Sequence, residues 1–418
     1  MKIAVVGAGV SGIVTSWILG REHEVDLYEA DSRIGGHTNT VTLSDGEDAG
    51  AEIDTGFIVL NDKNYPLFHR FLKQLGIGFR WSDMSFGYQC QQSGMEYAGR
   101  NIFSLFCKKS NLLSPTFYKF LWEIKRFCEV STLALDKGEL SGLSLGQFLS
   151  KKKFSEAFGR HYLLPMSAAI WSSPDEDILD FPAERFVQFF KNHGLLGLSD
   201  RPRWQTVEGG SHSYLKAFEE KFKGTIHRST PVKAVVQSEN KPSLLIDKEV
   251  QEYDKVVLAC HADQSARILE NKESKLSKVV SKWSYHRNRV YLHSDPSVMP
   301  SSRRTWCSWN YLRTSEGSDR SKPVFVSYYM NHLQGLKLKK DYFVTLNPPQ
   351  EIEPDLVEAE IVYEHPCFEM SVSGTSSLLA ESNGEEGVYL AGAYTGNGFH
   401  EDGVRSAVEV CRKMGMEL

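Results

Sequence analysis

Three glycines at positions 7, 9 and 12, spaced Gly-x-Gly-x-x-Gly, stand directly behind the β-branched run Ile3-Ala4-Val5-Val6. The chemistry this suits is capture of a dinucleotide pyrophosphate. Gly7 makes the tight turn out of a strand, Gly9 lets backbone approach the phosphates, and Gly12 lets the following helix pack closely on that strand. Ala8, Val10 and Ser11 fill the same turn, and the helix starting there offers free N–H groups and its positive dipole end to the anion. Further on, Glu29-Ala30 ends a second strand, His23 to Tyr28, about where a carboxylate accepts hydrogen bonds from a ribose. An acid there favours a free 2′-hydroxyl and disfavours NADP. At the other end of the chain, His400 stands among Gly392, Gly398 and Gly403, followed by Glu401 and Asp402. A histidine can titrate near neutrality, relay a proton or polarise a substrate, so His400 is the candidate catalytic residue.

The elements that must position these residues are legible around them. Ile3 to Val6 reads as a buried strand and Val10 to Leu19 as a helix. This breaks the uncharged stretch Ile3 to Gly20 into two periods, and argues against a secretion signal or membrane span. A helix from Tyr214 to Phe222 precedes strands at Thr225–His227, Val232–Gln237 and Leu244–Ile246, and Lys255 to Ala259 reads as another buried strand. Gly387 to Gly392 is a strand ending in glycine, with a helix running on to Met414. Residues 81–200 carry long aromatic helices, and 266–380 read as irregular. At about 150 residues per domain, 418 residues predict two to three domains. The alternation of styles predicts interleaving: 1–80, 205–265 and 381–418 for a nucleotide domain, 81–204 and 266–380 for a substrate domain.

With 41% hydrophobic and 24% charged residues and no low-complexity tract, the chain is globular and not disordered or fibrous. A net charge of −5 gives no push toward nucleic acid. The seven cysteines are an odd number without CxxC spacing, and no Cys/His group has the spacing of a zinc site. Reduced thiols, a cytoplasmic location and no metal are expected.

Behind Glu29 comes Arg33-Ile34-Gly35-Gly36-His37-Thr38, a second glycine pair that makes room for backbone to meet a flavin nucleotide. Fingerprint, acid and this block together resemble the flavin-dependent amine oxidase superfamily of monoamine oxidase, protoporphyrinogen oxidase and phytoene desaturase relatives. His37 departs from the arginine usual there. Thr55-Gly56-Phe57 resembles the family turn that passes over the flavin, and the C-terminal glycines resemble the turn and helix that the family brings to the isoalloxazine. The resemblance implies FAD as cofactor and an α/β fold, with a Rossmann-type FAD-binding domain interleaved with an α+β substrate domain. It implies FAD contacts from Gly7, Ala8, Gly9, Val10, Ser11, Gly12, Glu29, Ala30, Arg33, Gly35, Gly36, His37, Thr38, Thr55, Gly56, Phe57, Val232, Gly392, Glu401, Asp402 and Gly403, and it sets His400 beside the isoalloxazine.

A closer resemblance, at 56–59, 165–174, 204–210, 306–311 and 398–403, is to a bacterial subgroup of predicted NAD/FAD-binding proteins. These are commonly encoded beside cyclopropane-fatty-acyl-phospholipid synthase-like enzymes. It implies hydride abstraction from a C–H bond to flavin N5, oxidising or desaturating a lipid acyl chain, with oxygen or another acceptor reoxidising the flavin. One alternative is amine or amino-acid oxidation, which needs an aromatic cage. Phe399 would supply one wall, and Tyr394 or a tryptophan the other. An alternative of another class is a flavin-holding redox sensor or structural protein. The family's lysine near N5 lies in no readable motif.

Residues 101–127 mix Phe103, Phe106, Phe117, Phe120, Trp122 and Phe127 with Lys108, Lys109, Lys119, Lys125 and Arg126. Such a stretch either packs its aromatics inward or lies peripherally on the inner face of a membrane. Phe186, Phe189 and Phe190 read as core or as a tunnel for an apolar substrate, and His161, His193 and His261 as structural.

Overall fold

A run of four apolar residues such as Ile3 to Val6 has no polar side to offer water, so it is stable only where both faces of a sheet are covered. In the computed structural model, which describes all residues except 100–101, 198–200, 239–240, 315–323 and 373, that is where it lies. The strand Lys2–Val6 is central in a five-stranded parallel sheet, ordered Thr225–His227, Glu24–Tyr28, Lys2–Val6, Lys255–Leu258, Val388–Leu390. One face is covered by the helices Val10–Leu19, Pro66–Leu75, His212–Lys221 and His400–Lys413. On the other face lie the helices Ala262–Ile268 and Lys275–Val280 and a three-stranded antiparallel sheet whose strands include Val232–Ser238. Each of these strands was legible because it is fully apolar or sits between a glycine turn and a helix. The fold is α/β.

The stretch expected to be irregular, 266–380, is not. It supplies five strands of a seven-stranded sheet, ordered Val357–Pro366, Tyr285–His293, Phe343–Leu346, Val326–Tyr329, Trp309–Arg313, Phe86–Cys90, Glu96–Ala98. In the two longest, Tyr285–His293 and Val357–Pro366, charged residues masked the strand signal; the other three are only four or five residues long. Val357–Pro366 interleaves Glu358, Glu360 and Glu364 with apolar residues. Two of them meet arginines across the strand pair, Arg289 Nη2 with Glu360 at 2.8 Å and Arg287 Nε with Glu364 at 3.6 Å.

The helix Pro115–Asp136 buries Phe117, Phe120 and Phe127 and leaves Tyr118 and Trp122 exposed. For those three phenylalanines the inward-packing reading is the one realised. Asn101 lies outside the described residues, as do the side chains of Phe103 and Lys109. Phe186, Phe189 and Phe190 are core: they are buried with Trp171 and Phe181 in a helical aromatic cluster. None of the seven cysteines is in a disulfide. Among the described residues no helix is long and apolar enough to cross a membrane.

Candidate active site

The turn 7–12 shows why each glycine is there. A Cβ on Gly12 would lie 1.8 Å from the carbonyl oxygen of Gly7, so only glycine lets the helix seat on the strand. Gly9 is the opposite case. Its backbone is ordinary (φ −73°, ψ −178°), and an added Cβ would meet nothing within 4 Å. The space that Gly9 leaves is therefore not used by the protein. The helix behind it has no side-chain cap and no acid in its first turn, so its leading N–H groups have no side-chain partner there.

That space opens into a cavity of about 660 Å³. Of the residues expected from sequence, Gly7, Gly9, Val10, Ser11, Glu29, Ala30, Arg33, Gly35, Gly36, His37, Val232, Gly392 and His400 line it. Glu29 is held by backbone, its carboxylate accepting from Ala8 N at 2.8 Å and Asp31 N at 2.9 Å. Arg33 braces the second glycine pair, donating to the carbonyls of Gly36 at 2.8 Å and Thr38 at 3.1 Å.

The other expected residues stand behind this lining. Ala8 and Gly12 lie in the turn. Phe57 N donates to the His37 carbonyl at 2.8 Å, which fixes the turn 55–57 against the glycine block, and Thr55 bonds the Tyr363 hydroxyl. Thr38 Oγ1 bonds both the Tyr214 hydroxyl and His400 Nε2. Glu401 points away from the cavity and accepts from the N–H groups of Leu67 and Phe68, capping the helix Pro66–Leu75. Burial pushes its pKa up to about 7. Asp402 accepts from Asn397 N and Phe399 N and closes its own turn. Gly403 is a packing glycine, since a Cβ there would lie 2.8 Å from Val10 Cγ1.

His400 begins the C-terminal helix, lines the cavity and stacks on Phe57 with ring centroids 3.6 Å apart. The expectation that it titrates near neutrality is not met. Burial pushes its pKa down to about 3, so the imidazole is neutral and acts by hydrogen bonding, not by charge. Asp54, likewise buried, is pushed up to about 6 while accepting from Thr40 and Ser211.

Other lining residues escaped the sequence reading. Cys260, His261, Gln264 and Arg267 come from the turn and helix after the Lys255–Leu258 strand. They sit at the carboxyl end of a parallel strand, where ligands gather, and that rule could have found them. His261 is thus a cavity residue, whereas His161 and His193 hold structure through Tyr88 and the Phe189 carbonyl. Tyr285, Arg287, Tyr363, Glu364 and Pro366 come from the edge of the seven-stranded sheet and carried no local signal.

His37 packs against His261, Tyr363 and His365. Burial lowers the pKa of His37 well below the ordinary value, with the neighbouring histidines and Arg33 adding to it, and burial takes His365 to about 4. His37 Nε2 is buried without a hydrogen-bond partner. A buried polar atom without a partner is costly unless something binds it. Together with the open space at Gly9 and the uncapped helix, it fits a bound dinucleotide.

The profile of the flavin containing amine oxidoreductase family matches residues 10–298, more than half of the chain. No curated protein matched the sequence. Among solved structures, a putrescine oxidase redesigned in its cofactor binding is similar with a TM-score of 0.71 and 17% identity, covering 99% of this chain and 98% of that one. Cyclohexylamine oxidase from Brevibacterium oxydans is similar at 0.68 and 14%, covering 99% of both chains. A CLA-producing fatty acid isomerase from P. acnes is similar at 0.65 and 13%, covering 98% of both. These likenesses fix the fold and the family profile fixes the cofactor as FAD: the chain belongs to the flavin containing amine oxidoreductases and is a flavin-dependent, amine oxidase-like enzyme.

Proposed function

We propose that this enzyme oxidises or desaturates a C–H bond of a lipid acyl chain. The observation that carries the reading is the position of Phe399. Its ring stacks on Phe189 at 5.0 Å, packed against the aromatic cluster and outside the cavity lining, which argues against its serving as the wall of an amine cage. Tyr285, Val362, Tyr363, Pro366 and Tyr394 line the cavity that FAD itself would occupy, so an acyl chain would meet this apolar wall only where the cofactor leaves it open. Arg267 and Arg287 on the same lining suit an anion, which the cofactor's own pyrophosphate or a lipid head group could supply. The resemblance to the bacterial subgroup encoded beside cyclopropane-fatty-acid synthases supports the same substrate class.

FAD, when bound, supplies the acceptor for the hydride leaving the C–H bond. In this proposal Gly7, Gly9 and the N–H groups opening the first helix hold the pyrophosphate, and Glu29 holds the ribose. Val232, Gly35, Gly36 and His37, which line the same cavity, would hold the remaining parts of the cofactor. His400, neutral and fixed by Thr38, donates or accepts a hydrogen bond at the reacting end. Residues 1–80, 205–265 and 381–418 form the cofactor unit, and 81–204 and 266–380 the substrate unit. Peripheral contact with a membrane would run through the exposed Leu112, Leu113, Tyr118 and Trp122, beside Lys119 and Lys125.

The test is anaerobic mixing of the FAD-loaded protein with phospholipids, free fatty acids and a panel of amines including putrescine. Bleaching of the flavin absorbance by an acyl lipid is expected, and mass spectrometry should find that lipid oxidised. Bleaching by amines alone would overturn the lipid reading.

A further inference from the structure

Asp177, His286 and Cys367 belong neither to the cavity lining nor to any contact described above. They come from three separate segments. His286 is the second residue of the strand Tyr285–His293 and pairs with His365 on the strand Val357–Pro366. Cys367 follows that strand directly, its N–H donating to the Ser284 carbonyl at 2.9 Å. Imidazole and thiol therefore occupy diagonal cross-strand positions, within mutual reach. Asp177 arrives from the short helix Asp175–Asp180, which Arg313 pins to the sheet through Asp175 Oδ2 at 2.9 Å. Asp177 Oδ2 and His286 Nε2 bond each other, and one donor atom from each of the three residues lies within 4.8 Å of the others. Cys367 is buried, while Asp177 and His286 remain partly exposed.

We propose that Asp177, His286 and Cys367 bind a single divalent transition-metal ion of the zinc class. A thiolate, an imidazole and a carboxylate form a donor set that zinc and its neighbours accept, whereas calcium and magnesium select oxygen donors. Bonds of roughly 2.0–2.3 Å place tetrahedral donors about 3.5 Å apart, so the hydrogen-bonded Asp177–His286 pair has to open, and the thiol to close in, by on the order of an ångström each for an ion to enter. Three protein donors leave a fourth position, and the partly exposed side of the cluster gives the ion and a water their way in. Such an ion would tie the helix Asp175–Asp180 to two strands whose residues Tyr285 and Pro366 line the flavin cavity. The chain shows no local trace of the site, because its donors are spread over 177, 286 and 367.

The experiment uses the full-length, FAD-loaded protein, stripped with a chelator and titrated with Zn²⁺ against a chromophoric competitor and with Co²⁺ by absorbance. One equivalent should bind, and the Co²⁺ complex should show thiolate charge-transfer bands. Cys367→Ser and His286→Gln should each lower Zn²⁺ affinity on the order of 100-fold with FAD content unchanged. Cys367→His, which keeps a donor, should recover part of it. Zn²⁺ should raise the melting temperature of the native protein and leave that of Cys367→Ser unmoved. Should the variants fail to load FAD, the Co²⁺ spectrum of the native protein decides alone. No stoichiometric binding, no thiolate band or equal affinity in the variants would reduce the cluster to a hydrogen-bonded triad and overturn the proposal.

Discussion

The two sides of the flavin cavity are built from different materials. The cradle, from Gly7 to Glu29 and on to Gly36, is a backbone object in which close approach and free N–H groups matter and side chains mostly stay out of the way. The opposite wall is a side-chain object, in which His37, His261, Tyr285 and Tyr363, backed by His365, come from four segments and pack ring against ring. A backbone site can be written in one stretch of sequence, because its requirement is the absence of a Cβ at fixed spacing. A side-chain wall needs chain segments that only tertiary folding brings together.

The largest effects should separate two glycines of the same turn. Gly12→Val forces a Cβ to within 1.8 Å of backbone and should leave no stable protein, judged by expression and thermal melting. Gly9→Val has room in the protein, so it should fold with a near-native melt and carry no FAD. A Gly9→Val protein that retains stoichiometric FAD would break the cradle assignment.

Acid should test the burial of the histidines, in the wall and elsewhere in the fold, against a cradle whose N–H groups do not titrate. Burial depresses His161, His193, His293 and His365 to about 4 and His400 to about 3. A histidine whose pKa is depressed in the folded state stabilises the protein above its unfolded value near 6.5. That contribution is lost as pH falls through about 4, at about 1.4 kcal/mol for each pH unit between the folded and unfolded values. Asp54 and Glu401, raised to about 6 and 7, act the other way: their contribution is complete below about 4 and lost as pH rises through 6 to 7. Asp402 is raised as well, and His37, His212 and His261 are lowered; with eight depressed histidines against three raised carboxylates, urea midpoints should fall steeply between pH 6.5 and 4. A flat midpoint across that range would mean the histidines are not buried in solution.

Glu29→Ala removes the acceptor of two backbone N–H groups and of the proposed ribose contact. FAD affinity should fall by tenfold or more, the effect of losing roughly 1.5–3 kcal/mol of charge-assisted bonding. Unchanged affinity by titration of the apoprotein would move the ribose elsewhere. On the wall side, His400→Phe preserves the stack on Phe57 and removes the bond to Thr38. It should keep FAD and slow flavin reduction by about tenfold, or ~1.4 kcal/mol of barrier, in anaerobic stopped flow. A native rate would return His400 to a structural role. The smallest effect should be at the surface, where Lys119→Gln with Lys125→Gln weakens pull-down by anionic liposomes at about 1 kcal/mol per lysine. No liposome association at any salt concentration would remove the membrane contact.

Legibility followed locality throughout. The helix expected at Val10 to Leu19 spans those residues, and the strands around Ile3, Thr225 and Lys255 fall within a residue or two of their expected ends. The strands Tyr285–His293 and Val357–Pro366 were missed because arginines and glutamates interrupt their apolar residues, and Trp309–Arg313, Val326–Tyr329 and Phe343–Leu346 because each is only four or five residues long. Glu401 and Asp402, next to His400 in sequence, turned out to cap a helix and close a turn, since the first residue of a helix and the next two point in different directions.

The sequence by itself determined the cradle, its acid and the parallel sheet beneath them, because turn conformation, close packing and helix dipoles depend on residues a few positions apart. Only the tertiary structure decided that Phe399 packs on Phe189, that His400 is neutral, that histidines gather on one wall, and that Asp177, His286 and Cys367 meet. Those outcomes depend on burial and on long-range pairing. Desolvation of a ring and contact between positions nearly two hundred residues apart have no counterpart in local residue order.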